Sequence, residues 1–105
     1  MKKLEALIRP FELDEVKDRL SQVGINKITV TDVRASSGGK EDDPELYLGE
    51  NYAGYVIEFL PKVKIEVIVD ADKVAAAAEA ILKTSREGEK RGQVFVYNIE
   101  KTISH

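Results

Sequence analysis

The sequence predicts an α+β fold, four strands and two helices in the chain order β-α-β-β-α-β. Two observations carry this. Apolar residues alternate at period two in the strand segments and recur at helical spacing in two others. The chain is also short, 105 residues with 43% hydrophobic content, which suits one domain over 1–105 and leaves no room for two.

Each element has its own signature. In "KKLEALIRP", Leu4, Ala6 and Ile8 point one way and Lys3, Glu5, Leu7 and Arg9 the other, a first strand ended by Pro10. "ELDEVKDRLSQVG" places Leu13, Val16, Leu20 and Val23 on one helical face. Asp14 and Glu15 suit the dipole of its first turn, and Gly24 stands where a C-terminal cap belongs. "INKITVTDVR" is rich in β-branched residues and reads as the second strand.

"VIEFLPKVKIEVIVD" reads as a long, half-buried antiparallel strand. Ile57, Phe59, Pro61, Val63, Ile65, Val67 and Val69 share one face. Glu58, Lys62, Lys64, Glu66 and Asp70 share the other, with Leu60 and Ile68 breaking the pattern. Pro61 inside it predicts a bulge, a bend or an edge. "ADKVAAAAEAILKTSRE" predicts the second helix, capped by Asp70, and "QVFVYNIE" the fourth strand. With both helices on one face of the sheet, this is the ferredoxin-like arrangement.

Composition excludes several kinds of chemistry. There is no cysteine, and the one histidine is His105, so thiolate and histidine metal sites and histidine catalysis are not expected. No apolar run reaches membrane-spanning length and "MKKLEALIRPF" lacks a signal peptide's apolar core, so a soluble cytoplasmic protein without membrane insertion is expected. The net charge of −3 is uneven: from Ser36 to Gly54 five acids stand against Lys40, a balance of −4, and the remainder carries +1. Nothing demands a nucleic-acid partner.

The connection between the second and third strands, about 36–54, is far too long for a hairpin. Connections of that length in compact domains are usually functional or disordered. It carries the acidic run "KEDDPE" and the tyrosine-bearing "YLGENYAGY". The fold alone decides no function. An RNA-recognition domain would add a basic motif beside Phe95 and Tyr97, and an acylphosphatase a Gly-rich phosphate loop where "RPFELDE" stands.

"KKLEALIRPFELDEVKDRL", "ITVTDVR", "YLGENY", "FLPKVKIEVIV" and "FVYNIE" closely resemble the PII signal-transduction proteins of nitrogen regulation. The resemblance covers nearly the whole chain. It implies a homotrimer with adenine nucleotide (ATP, ADP or AMP, with Mg²⁺ as an allowed companion) in the clefts between subunits. It also implies that the long connection is a T-loop, which docks onto target proteins and changes shape with the bound ligand. Thr29 falls where the family contacts adenine, and Leu7, Glu66 and Ile68 at the walls of that pocket. Lys62 matches a lysine that reaches toward phosphate or 2-oxoglutarate, against the plain alternative of an exposed strand lysine. "SREGEKRGQ", about 86–93, matches the phosphate-cradling B-loop, with Gly88, Lys90, Arg91, Gly92 and Gln93 as its candidate residues.

This sequence departs from the family pattern at both ends of that site. The B-loop is about one residue short, and Gln93 stands where a lysine usually precedes the last strand. At the T-loop base, Ala35, Ser36 and Ser37 replace a glycine–aromatic–glycine run, and the glutamine that helps position Mg-ATP and 2-oxoglutarate is missing. The expectation is therefore nucleotide binding with an altered phosphate site, AMP or ADP preferred over ATP, and no 2-oxoglutarate sensing by the usual chemistry. Tyr52 and Tyr55 compete for the place where some family members are modified. These two and Tyr47 otherwise serve as target contacts.

The resemblance thus implies a regulator, not an enzyme, whose target is a protein such as a membrane transporter. A second reading keeps the scaffold as a divergent PII-like regulator of bicarbonate or carbon handling or of metal transport, sensing ADP or AMP without 2-oxoglutarate. A third is a ligand-free trimeric scaffold.

Overall fold

The computed structural model describes residues 1–36, 59–83 and 92–105. The elements are β1 (Lys2–Ile8), α1 (Leu13–Gln22), β2 (Thr29–Ala35), β3 (Leu60–Val69), α2 (Val74–Leu82) and β4 (Phe95–Asn98), with 3-10 turns at Pro10–Glu12 and Ala71–Lys73 leading into the two helices. The sheet order is β2-β3-β1-β4, and every neighbouring pair is antiparallel. This is the ferredoxin-like fold anticipated from the sequence.

The period-two pattern of β1 and β3 becomes a two-faced sheet. Leu4, Ala6 and Ile8 of β1 and Val63, Ile65, Val67 and Val69 of β3 are buried under the helices. Val16, Leu20, Ala77, Ala80 and Ile81 meet them from α1 and α2, joined by Ile25. Leu4, Leu20 and Ile65 are each fully enclosed, and burying such a side chain is worth about 1.5–3 kcal/mol. Small alanines on α2 let that helix lie close to the sheet.

The opposite face of the sheet is open. Lys3, Glu5 and Leu7 of β1 stand beside Lys64, Glu66 and Ile68 of β3 and Phe95 and Tyr97 of β4. Leu7, Ile68, Phe95 and Tyr97 remain about half exposed there.

α1 ends as Gly24 anticipates. Gly24 has φ +87°, its N–H bonds the Ser21 carbonyl at 2.9 Å, and the Ile25 N–H reaches back to the Leu20 carbonyl at 2.9 Å. This is a Schellman closure, and Leu20 and Ile25 both belong to the buried core. The start of the second helix differs from expectation. Asp70 takes the extended N-cap conformation, but its side chain makes no capping bond, and its carbonyl instead accepts the Lys73 N–H at 2.9 Å. The 3-10 turn supplies with backbone what a side-chain cap would have supplied.

Pro61 makes no bulge, since Arg34 pairs with Pro61 and Ala35 with Leu60 in unbroken register. The β1 ladder ends at Val63, so Pro61 lies where β3 has a neighbour on one side only. The strand bounds are also shorter than the sequence pattern: β2 begins at Thr29, and β4 covers only Phe95–Asn98.

Candidate functional site

Two clefts gather most of the described candidate residues. The first, of about 360 Å³, is lined by Lys3, Lys27, Thr29, Glu66 and Ile68. Thr29 opens β2 and pairs with Glu66, so the register itself places a hydroxyl beside a carboxylate on the open face, with Ile68 two residues on. Ile68 gives this cleft an apolar wall, Thr29 and Glu66 a polar one. That combination suits a flat heterocycle carrying hydrogen-bonding edges.

Glu66 is held in place. The Lys3 ammonium donates to Glu66 Oε2 at 3.0 Å and lies 3.7 Å from Glu5 Oε1 and 4.9 Å from the centre of the Tyr97 ring. The hydrogen bond to Lys3 is the main reason the Glu66 carboxyl is held below the ordinary glutamate value. The same bond raises the Lys3 ammonium above the ordinary lysine value.

The second cleft, of about 220 Å³, lies where β1 leaves the sheet and α2 ends. Its lining includes Leu7, Arg9, Glu12, Lys62, Leu82, Lys83, Gly92 and Gln93. Among the described lining residues three cations stand with one acid, and Glu12 is itself engaged: its Oε1 accepts the Arg9 N–H at 2.9 Å. The Arg9 guanidinium sits 5.9 Å from the ring centre of the exposed Phe11. A concave site with a surplus of positive charge is suited to an anion such as phosphate or carboxylate.

The sequence-derived candidates therefore divide. Thr29, Glu66 and Ile68 share the first cleft, whereas Leu7, expected at the wall of the same pocket, lines the second with Lys62, Gly92 and Gln93. The resemblance implied that Leu7 and Ile68 wall one pocket. The register separates them, because Leu7 pairs with Lys64 while Ile68 pairs with Lys3 at the far end of β1. Ala35 and Ser36 are half-buried at the end of β2 and line neither cleft. Ser37, Tyr47, Tyr52, Tyr55, Gly88, Lys90 and Arg91 lie outside the described residues.

Sequence reasoning missed Lys3 and Lys27 in the first cleft and Arg9, Glu12 and Lys83 in the second. Arg9 was within reach of it, since the alternation of β1 puts Arg9 on the side of Leu7. Lys83 carried no such signal, because its position depends on how α2 docks. Among the described residues there is no cluster of three or more metal-ligating side chains, and no helix is long and apolar enough to cross a membrane.

The family model described as nitrogen regulatory protein P-II matches residues 1–104. The chain is 46% identical over 104 residues to a nitrogen regulatory protein P-II of Pasteurella multocida, covering 98% of this chain and 89% of that protein. It is 48% identical, with the same coverage, to a protein so named from Mesorhizobium japonicum. The nitrogen regulatory protein P-II 1 of Escherichia coli is 41% identical over the same 98% and 89%. A match along essentially the whole length, on the fold described above, makes this chain a member of the P-II family of nitrogen regulatory proteins.

Proposed function

We propose that the chain works as one domain in a homotrimeric, cytoplasmic signalling regulator that binds adenine nucleotide between subunits and controls a target protein through the T-loop, about 36–54. The observation that carries the nucleotide reading is the second cleft, where Arg9, Lys62 and Lys83 face Glu12 beside Gly92 and Gln93. Phosphates belong in such a cationic concavity. The base belongs in the first cleft, against Ile68 and within reach of Thr29 and Glu66. Lys62 and Glu66 are four residues apart on one face of β3, about 13 Å along a strand. In this reading the two clefts are half-sites that neighbouring copies complete. The B-loop, with Gly88, Lys90 and Arg91, adds to the phosphate side. Ala35, Ser36 and Ser37 link the site to the T-loop.

The exposed apolar residues of the open face support the oligomer. Leu7, Ile68, Phe95 and Tyr97 give one surface that a second copy would cover. Ligand binding acts by linkage. A nucleotide that interacts differently with two T-loop conformations shifts their populations, and the favoured one engages the target, of which a transporter's cytoplasmic face is one candidate. Tyr47, Tyr52 and Tyr55 are the target contacts or modification sites on that loop. The role is regulatory rather than enzymatic.

A second reading, a divergent regulator of carbon handling or metal transport that answers to ADP or AMP without 2-oxoglutarate, is favoured by one observation. Gln93, a neutral side chain, lines the anion cleft where the family pattern has a lysine. Calorimetric titration with ATP, ADP and AMP, each with and without Mg²⁺, 2-oxoglutarate and bicarbonate, separates the two. ATP binding strengthened by 2-oxoglutarate selects the nitrogen sensor. ADP or AMP binding indifferent to 2-oxoglutarate selects the second reading. No binding of any nucleotide overturns both and leaves the ligand-free trimeric scaffold.

A further inference from the structure

α2 stops at Leu82, and Lys83 turns the chain to extended backbone with φ −65° and ψ 140°. A helix end leaves its last carbonyls without intrahelical partners. Here two of them are met from outside the helix. Arg19 of α1 donates from Nε to the Ala80 carbonyl at 2.8 Å and from Nη2 to the Lys83 carbonyl. Its third nitrogen, Nη1, lies 3.5 Å from Glu15 Oε1, one turn back on α1. The guanidinium is thus fixed on three sides, and its side chain is only 17% exposed. A cation at a helix C-terminus also matches the negative end of the dipole.

What this clamp holds is one wall of the anion cleft. Ile81, Leu82 and Lys83 line that cleft together with Arg9, Lys62, Gly92 and Gln93. Lys83 is the last described residue before 84–91, and Gly92 the first after it. Arg19 itself is absent from the cleft lining, so its influence passes through the carbonyls it binds.

We propose that Arg19 is a positioning residue for anion binding: by fastening the Ala80 and Lys83 carbonyls to α1 it fixes the wall that carries Lys83, and so sets affinity for the phosphates of a nucleotide without touching them. This rests on the reading of the second cleft as the phosphate site. A planar two-pronged donor suits the task better than a lysine, which offers a point charge.

The test compares wild type, Arg19→Ala and Arg19→Lys. ATP affinity is measured by calorimetry, and adenosine binding by NMR at the Thr29 and Ile68 amides. Amide hydrogen exchange is followed at 81–83 and 92–93. Arg19→Ala is expected to weaken ATP about tenfold, the scale of one charge-assisted hydrogen bond, and to leave adenosine binding unchanged. Exchange should quicken at 81–83 and 92–93 but not at Ile65 and Val67, and Arg19→Lys should recover part of the loss. Equal ATP affinity in wild type and Arg19→Ala overturns the proposal. So does a parallel fall for ATP and adenosine, which would mean a general loss of structure. A wild type that binds none of ATP, ADP and AMP overturns the phosphate-site reading itself and this proposal with it, and is told apart because the failure precedes any substitution; a wild type that binds ADP but not ATP is compared with the variants on ADP.

Discussion

Lys3 is the bridge between two carboxylates that the sheet forces to face each other. Glu5 and Glu66 are direct partners across the β1–β3 ladder, a like-charge pairing that destabilises a sheet. Lys3, diagonal to Glu66, reaches Oε2 at 3.0 Å and lies 3.7 Å from Glu5 Oε1. The three charges are therefore one unit, built on the face that also carries the first cleft.

Replacing Lys3 by Met should raise the Glu66 carboxyl from its depressed value, because the hydrogen bond that chiefly lowers it is gone and burial, which raises it, remains, opposed only by the nearby Lys64 charge. The sign of the pH dependence follows from the two shifts. A depressed Glu66 contributes stability above the ordinary carboxylate range, and the contribution is lost as pH falls through its folded value. A raised Lys3 contributes below the ordinary lysine value, and the contribution is lost as pH rises through its own. The stability gap between wild type and Lys3→Met should thus be widest between about pH 5 and pH 10 and narrow at both ends. Urea denaturation across pH measures it, and a gap independent of pH would sink the account.

Gly24→Ala should destabilise the protein by about 1 kcal/mol, because φ +87° is a left-handed conformation that a Cβ disfavours. The added methyl would lie 3.4 Å from Lys73 Nζ, an ordinary contact with the end of a flexible side chain, so the backbone conformation carries the cost. Equilibrium denaturation gives the value. A change within error would mean that the Schellman closure tolerates a side chain.

How far the sequence reaches can be read from particular residues. Leu4, Ala6 and Ile8 declared their face through alternation, and Val63 to Val69 did the same, so the buried side of the sheet was legible. Gly24 was legible as a cap because only the left-handed region requires glycine. The Asp70 cap was misread: an acid at an N-cap position is a propensity, and here the backbone of a 3-10 turn met the need first. The two clefts were legible only in part. Thr29, Glu66, Lys62 and Gln93 came from motif resemblance. Alternation puts Lys3 and Arg9 on the outward side of β1 but only the strand register shows which cleft each one lines, and Lys83 is brought in by helix docking, which no local pattern encodes. Arg19 is the extreme case, reading as an ordinary helix-surface arginine until Ala80 and Lys83 stand beside it.

Phe95→Lys should dissociate the proposed trimer while sparing the subunit fold. Phe95 is 54% exposed on the open face and pairs with Glu5 across β1 and β4. A lysine there gains an opposite-charge partner within the subunit, yet places a charge where a second copy must pack apolar surface. Sedimentation should show the mass falling to that of a monomer, with an unchanged far-UV circular dichroism spectrum. A variant that keeps the wild-type oligomeric mass would move the interface away from β4.

The two clefts should respond differently to substitution, and the difference identifies what each one holds. Lys62→Ala removes one of the three cations among the described residues of the second cleft, so ATP affinity should fall about tenfold or more, with a smaller loss for AMP, which presents fewer phosphate charges. Thr29→Ala removes a neutral hydroxyl from the first cleft, so ATP and AMP should lose equally, about two- to tenfold each. Salt should reinforce the distinction, since the Lys62 contribution is electrostatic and shrinks as ionic strength rises, while the Thr29 contribution does not. Calorimetry of both variants with both nucleotides at two salt concentrations reads all of this. If Thr29→Ala discriminated between ATP and AMP while Lys62→Ala did not, the assignment of base and phosphate to the two clefts would have to be exchanged.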